Sequence, residues 1–453
     1  MTPVALRIAE FVLGVRDQDV PAQDRAAIET SCFDLIGALL AGRTSRHGQL
    51  VEQLVRAEGG SPECTVLGAG LSVPAVAAVL SNATAAHADD FDDMGGYGHP
   101  SAPLLPALLA AAELRGGASG PEIITAYAAG FEVGAALCQL GHYDQYARCF
   151  HSTPVFGSLA AACAVARLLE LDPERTAAAV AAAATFAAGV GRNSGTMVKS
   201  LHAGQAAAHA VLAVLLARDG IRGAADVFEG RGGFWENLFG TPVSALDEIV
   251  GRFGRPFRAR QSLFIKEFPC CGTNQSALHG VREIVRREGL TASDIAEVVV
   301  HGMNETSPVL RYPRPASGLN GKFSIQFTVG SLLAHGQLGV DEFADEHTRD
   351  PGVLAVTGRV RAEVLSRWDG RNAGKRAGNA VTLTAADGRC FHAFVRRGEM
   401  PGSPVNPLPE QTLVAKFTAN AARSVPDPES LVKLWRHLDS AGDVRDAIER
   451  TAR

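Results

Sequence analysis

The sequence predicts a large all-helical domain joined to a smaller α+β domain, and three observations carry that prediction. From residue 4 to about 220, apolar residues recur at three- and four-residue spacing, with breaks at Gly, Pro and Asp. After about residue 260 the pattern changes: IAEVVV (295–300) alternates like a strand, and AVTLTAADGRCFHAFV (380–395) reads as a hairpin turning at Asp387–Gly388. Aromatic residues are only 6 % of the chain, beside long Ala runs, which suits helices packed at short distance.

In chain order, Pro21 opens a helix that the Gly42 region ends. Further helices are predicted over 73–88, 102–114, 121–140, 155–169, 172–190 and 201–218, each after a short connection, which is a bundle and not a βαβ repeat. Residues 220–240 hold several glycines and the pair Phe234–Trp235, so an irregular excursion is expected before a short helix at 245–250. The second part is predicted as a strand at 295–300, a helix at 323–334 and the hairpin, giving a small, mainly antiparallel sheet. A Pro- and Gly-rich loop (398–409) leads to helices at 411–422 and 428–440 that are expected to dock back on the first domain. The predicted domains are 1–262 with 408–453, and 263–407.

Composition excludes several classes. The 453 residues suffice for two ordinary cores without staples. Lys plus Arg number 43 against 48 Asp plus Glu, so the net charge of −5 gives no general reason to bind nucleic acid or an anionic membrane. Eight scattered cysteines without a CxxC pair, behind a start (MTPVALRIAE) lacking the marks of a signal peptide, suggest a reduced, cytoplasmic setting. The most membrane-like stretch, 176–190, is short and nearly all Ala, and is expected to be a buried helix; no membrane partner is predicted. GxGxxG on a strand–helix turn, GxxxxGK[ST], HExxH and GxSxG are all absent.

The densest polar cluster follows the helix predicted to end near Ala88: His87, Asp89, Asp90, Asp92 and Asp93, then three glycines around Tyr97, and His99-Pro100-Ser101. Carboxylates at a helix C-terminus face the wrong end of its dipole, so helix preference does not account for them. A solvated acidic turn before a helix capped by Ser101 is one reading; a metal site of His87, Asp90 and His99 is another. His151 stands at the start of an Ala-rich helix, where neutral imidazole is favoured. In GTMVKSLHAG (195–204), Lys199 and the first-turn N–H groups of a helix can hold a carboxylate, although a surface lysine is the plainer reading. KEFPCCGTNQ (266–275) enters a helix at the domain junction, and its adjacent cysteines are poorly placed to bridge each other.

Together, His87-x-x-Asp90-x-Asp92-Asp93, His99-Pro100-Ser101, FHSTPVFGSLAAACAVARLLEL, GTMVKSLHAGQAAAHAVLAVLLARDG, KEFPCCGTNQSAL, KFSIQFTVGSLLAHG and GSPVNPLPEQTLVAKF resemble the ordered motifs of the MmgE/PrpD family over nearly the whole chain. That family includes 2-methylcitrate dehydratase, cis-aconitate decarboxylase and iminodisuccinate epimerase. The resemblance implies a large all-α helical domain plus a smaller α+β lid domain, a homodimer, and chemistry on a small polycarboxylate substrate with no metal and no organic cofactor. It also implies Asp90, His99, His151 and Lys199 as catalytic residues, with Lys266, His202, Asp93 and Gln275 toward the substrate.

The three reactions share one demand, stabilisation of charge on a carboxylate while a proton or carboxyl group moves at the adjacent carbon. Lysines 199 and 266 suit the charge, and His99 and His151 suit proton transfer. A cleft between the domains, closed over the acid, is the expected location. Dehydration of a citrate-like hydroxy acid is the leading expectation; epimerisation or decarboxylation of a related acid is the alternative. Met94 and Phe327 stand where many members have hydroxyl residues, which leaves room for a silent carboxylate-binding member.

Overall fold

In the computed structural model, which describes residues 2–147, 150–240, 245–303, 309–364 and 378–452, the chain divides into two units. The first comprises Met1–Val190, Ser200–Phe264 and Pro409–Arg453; the second comprises Gly191–Lys199 and Ile265–Leu408. The stretch Gly191–Lys199, placed by sequence inside the helical domain, therefore packs with the second unit. Arg311 and Tyr312 donate to the Ser194 carbonyl and Asn320 to that of Gly195 (3.2, 2.9 and 2.8 Å).

The first unit begins with α1 (Val4–Gly14), α2 (Ala22–Arg43) and α3 (Arg46–Glu58). A two-stranded ribbon follows, β1 (Cys64–Val66) paired antiparallel with β2 (Leu71–Val73). The sequence reading marked neither α3 nor the ribbon, whose three-residue strands are too short to show an alternation. Then come α4 (Ala75–Ala86), α5 (Ser101–Arg115), α6 (Gly120–Ala147), α7 (Ser152–Leu168), α8 (Pro173–Phe186) and α9 (Val198–Arg218), close to the expected bounds. The excursion after α9 contains α10 (Phe234–Phe239), which buries Phe234 and Trp235; α11 (Leu246–Val250) and α12 (Ala259–Ser262) complete the stretch.

Helices α6 and α9 have the length and apolar content of a bilayer span, and 89 % and 67 % of their apolar windows are buried within the protein. The stretch singled out by sequence, 176–190, instead forms most of the shorter α8, whose Ala face is buried. Small side chains explain how α6 serves as a core helix: at Gly130 a Cβ would fall 2.3 Å from the Ala160 carbonyl oxygen of α7.

In the second unit, α13 (Gln275–Glu288) precedes β3 (Ile295–Met303), and α14 (Gly318–Gly321), α15 (Ile325–His335) and α16 (Pro351–Thr357) precede β4 (Val360–Val364). The hairpin β5 (Asn379–Ala385) and β6 (Cys390–Val395) completes a four-stranded sheet of order β4-β3-β5-β6. The β3–β5 and β5–β6 pairs are antiparallel, as expected, while β4 adds a parallel edge that the sequence did not reveal. Val298, Val300, Val381 and Leu383 pack with Leu278, Val281 and Ile284 of α13 and with Phe327 in one core.

The chain returns to the first unit through α17 (Glu410–Ala421), α18 (Pro428–Arg436) and α19 (Arg445–Thr451). Phe417 of α17 stacks on Phe33 of α2 at 4.3 Å, and Lys416 pairs with Asp34 at 2.7 Å. The closing helices thus dock on the first domain as the sequence suggested. Lys416 also donates to the Phe91 carbonyl at 3.0 Å, which ties the docked tail to the acidic loop between α4 and α5.

Candidate active site

Helix α4 ends because the residues after it disfavour continuation: His87 is its C-cap and Asp90 takes a left-handed backbone (φ 53°), a conformation Asp tolerates better than most residues. The loop then folds tightly, with Gly95 and Gly98 exchanging backbone hydrogen bonds at 2.8 Å. Gly98 has φ 120°, and a Cβ there would lie 2.5 Å from Thr153 Oγ1. Glycine lets the loop lie against α7, where Thr153 Oγ1 accepts from the His99 backbone N–H at 3.0 Å.

Ser101 begins α5 but does not cap it. Its Oγ donates to Asp93 Oδ2 at 2.7 Å and its N–H to Asp93 Oδ1 at 3.2 Å, so the capping acceptor is Asp93, and Pro100 holds the N-cap position. Tyr127 OH lies 2.7 Å from the same Ser101 oxygen. Burial raises the Asp93 carboxyl to about 7, opposed by the Ser101 bonds and assisted by neighbouring Asp92.

Four imidazoles and two carboxylates converge in this unit. His87 Nδ1 lies 2.9 and 3.0 Å from the two Asp92 oxygens, both side chains being fully buried. His99 Nδ1 donates to the Asp93 carbonyl at 2.9 Å and lies 3.4 Å from Asp92 Oδ2, while its Nε2 lies 3.4 Å from Asp90 Oδ1. Burial alone would raise Asp92, but His87 and His99 hold its carboxyl well below the usual carboxylate range. The His99 ring centroid is 4.4 Å from that of His87 and 6.1 Å from that of His151. His151 is the N-cap of α7, and its Nδ1 is 3.0 Å from His202 Nδ1 on α9.

These contacts fix protonation patterns. A carbonyl can only accept, so His99 carries a proton on Nδ1, and its contact with Asp90 through Nε2 holds a further proton on one of the two groups. Two nitrogens at 3.0 Å share one proton, so in the His151–His202 pair one ring donates while the other accepts. The position of His202 follows from Gly204, where a Cβ would meet Thr84 Oγ1 at 2.1 Å; the close crossing of α9 over α4 needs a residue without a side chain.

Of the residues selected from sequence, Asp90, His99, His151 and His202 gather here, with Asp93 bracing the loop behind His99. Sequence reasoning assigned no reactive role to Asp92 or to His47, whose Nε2 donates to the Ala88 carbonyl at 3.1 Å. Asp92 was visible inside the quoted motif, but only the fold shows which of two adjacent carboxylates lies between imidazoles. Within the second unit, Lys199 is buried with its ammonium 5.4 Å from the Phe323 ring centroid, and Lys266 is fully buried. Gln275 is also fully buried: its amide donates to the Phe268 and Cys270 carbonyls at 2.9 and 3.3 Å, clasping its own loop. Phe327 lies in the core of that unit, 6.0 Å from the Phe343 ring.

Two groupings, His87–His99–His151 and His87–Asp90–Asp92–His99, bring one donor atom from each member within 4.8 Å of the others, so either set has the donor chemistry for a metal ion. In the second, His87, Asp92 and His99 are already engaged with each other and with the Asp93 carbonyl.

A mostly helical protein with a small α+β unit and a buried histidine–aspartate cluster on its first long loop is the class that fold and geometry define. Sequence comparison resolves the class. The MmgE/PrpD N-terminal domain model matches residues 6–246 and the C-terminal domain model residues 268–438, and the chain belongs to the MmgE/PrpD family. Among similar proteins, cis-aconitate decarboxylase of Homo sapiens is 27 % identical over 91 % of this chain and 86 % of its own length. A cis-aconitate decarboxylase-like protein of Aspergillus oryzae is 25 % identical over 98 % of this chain and 96 % of its own. Mitochondrial 2-methylcitrate dehydratase of Yarrowia lipolytica is 26 % identical over 52 % of this chain and 46 % of its own.

Proposed function

We propose that this protein is a lyase for a small tricarboxylate or related polycarboxylate, working by proton transfer with no resident metal or organic cofactor. The observation that supports it most directly is the His99 imidazole, locked in one tautomer by the Asp93 carbonyl and aimed at Asp90. Such a ring takes or gives a proton at one defined nitrogen, which is what bond cleavage next to a carboxylate needs. The His151–His202 pair is a second proton reservoir, and in this reading Lys199 and Lys266 balance the substrate's carboxylates.

The relatives matched over most of their length are named as decarboxylases, which favours loss of carbon dioxide. Dehydration of a citrate-like hydroxy acid is the second reading, supported by the dehydratase relative. Incubation with cis-aconitate, citrate and 2-methylcitrate in heavy water, followed by NMR, separates the two: released carbon dioxide with deuterium incorporated supports the first, and a new alkene with water lost supports the second. Deuterium exchange with inversion points to epimerisation, and no change over the panel favours a silent carboxylate-binding member. We also propose a cytoplasmic setting, on the ground of the scattered cysteines, and, on the ground of the family resemblance, a homodimer, which light scattering tests at twice the chain mass.

A further inference from the structure

The proposed reaction leaves one buried charge of the histidine cluster without a role. Asp92 lies in the loop between α4 and α5, and its side chain and that of His87 are both fully buried, so neither touches a substrate. His99 is the member of this trio that reaches solvent, its side chain being 12 % exposed.

An ionised carboxylate in a protein interior is costly unless it is paired. Asp92 meets an imidazole on each of two sides. His87 Nδ1 lies 2.9 and 3.0 Å from its oxygens, and a carboxylate can only accept, so that nitrogen carries a proton. Oδ2 also stands 3.4 Å from His99 Nδ1, whose proton goes to the Asp93 carbonyl at 2.9 Å. A contact of that length beside a shorter bond acts through charge more than through a hydrogen bond of its own. A structural pair would need His87 alone; the second ring, its centroid 4.4 Å from the first, is an addition to it.

Burial opposes ionisation of Asp92, and His87 and His99 overcome it, holding the carboxyl well below the usual carboxylate range. Such coupling is mutual: a protonated His99 that favours the Asp92 anion is favoured by that anion to the same extent.

We propose that Asp92 is a positioning residue for His99: aligned by the buried His87, its carboxylate steadies the ring at Nδ1 and makes Nε2 a stronger proton acceptor. Nε2 is the nitrogen that faces Asp90 Oδ1 at 3.4 Å, so the effect arrives at the atom assigned to proton transfer. This role rests on the proton-transfer reading of His99 and supplies the source of that ring's basicity.

Asp92→Asn keeps the shape, removes the charge and offers one acceptor oxygen in place of two. With the substrate that turns over, kcat should fall about 10–10²-fold while KM stays within about twofold, since a misplaced reacting group loses rate more than binding. The same substitution in a His99→Gln background should cost no further activity, because both losses pass through one ring. NMR titration of protein carrying isotope-labelled histidine reads the ring without substrate. The signal missing from His99→Gln should titrate about one unit lower or more in Asp92→Asn, as loss of an adjacent anion requires. Asp90, the neighbouring Asp93, His87 and His151 also bear on this ring and stay as in the parent, so the shift isolates Asp92. If Asp92→Asn lacks a cooperative melting transition, Asp92→Ser, also uncharged, replaces it with the same expected outcomes.

An unmoved His99 titration, or additive losses in the double variant, would overturn the proposal. Parent kcat in Asp92→Asn beside a slow His99→Gln would overturn the role of Asp92 alone. Parent kcat in His99→Gln would overturn the proton-transfer reading and this role with it.

Discussion

Asp93 shows how one buried carboxylate couples the loop to pH. Its folded pKa of about 7 lies above the ordinary aspartate value of 3.8, so the folded state holds the proton more tightly than the unfolded state. The associated stability is fully present below about pH 4 and is lost as pH rises through about 7, each tenfold difference in proton affinity between the two states being worth roughly 1.4 kcal/mol. Asp93→Asn keeps an acceptor for Ser101 and removes the titration. Melting curves from about pH 5.5 to about pH 8 should therefore show the parent falling relative to the variant; parallel curves would contradict the raised pKa. His99 and Lys199 give kinetic predictions. His99→Gln should lower kcat by about 10²–10⁴-fold, the usual contribution of general acid–base catalysis. Lys199→Ala, at a buried lysine whose ammonium lies 5.4 Å from the Phe323 ring, should remove turnover in a variant that still shows a cooperative melting transition. Normal rates in either variant would break the proposed assignment.

At the level of elements, the site depends on how closely α9 approaches α4. Gly204→Ala would drive a methyl group into Thr84 Oγ1 and the Leu80 carbonyl oxygen, 2.1 and 2.9 Å from the Cβ position. Overpacking of this kind costs about 1–3 kcal/mol. The same shift displaces His202 from His151, so denaturant unfolding and kcat should fall together; a variant as stable and as active as the parent would show that the crossing is not what positions the pair. The loop between α4 and α5 is held from three elements, by His47 of α3, Thr153 of α7 and Lys416 of α17. Those anchors come from distant parts of the chain. Sequence showed that the loop was exceptional in composition, but not what restrains it.

For the molecule as a whole, the reading without metal has its own check. Elemental analysis of purified protein should find no stoichiometric transition metal, and turnover should survive chelation. Activity abolished by a chelator and restored by one metal would instead assign His87, Asp90, Asp92 and His99 as ligands. The two-unit organisation was legible because the apolar period changes after about residue 260. Its details were not: β4 joins the sheet in parallel, and Gly191–Lys199 leaves the first unit for the second.

Sequence by itself determined the helical character of the first 220 residues, the hairpin at Asp387–Gly388, the family, and a short set of polar residues too concentrated to be explained by helix preference. These are local properties, carried by periodicity, turn chemistry and composition within a few residues. Only the tertiary structure decided that Asp92, and not Asp93, stands between two imidazoles, that Ser101 serves Asp93 instead of capping α5, and that Gln275 braces its own loop. Adjacent side chains leave a loop in different directions, and which one meets a partner is set by the contacts of helices distant in sequence.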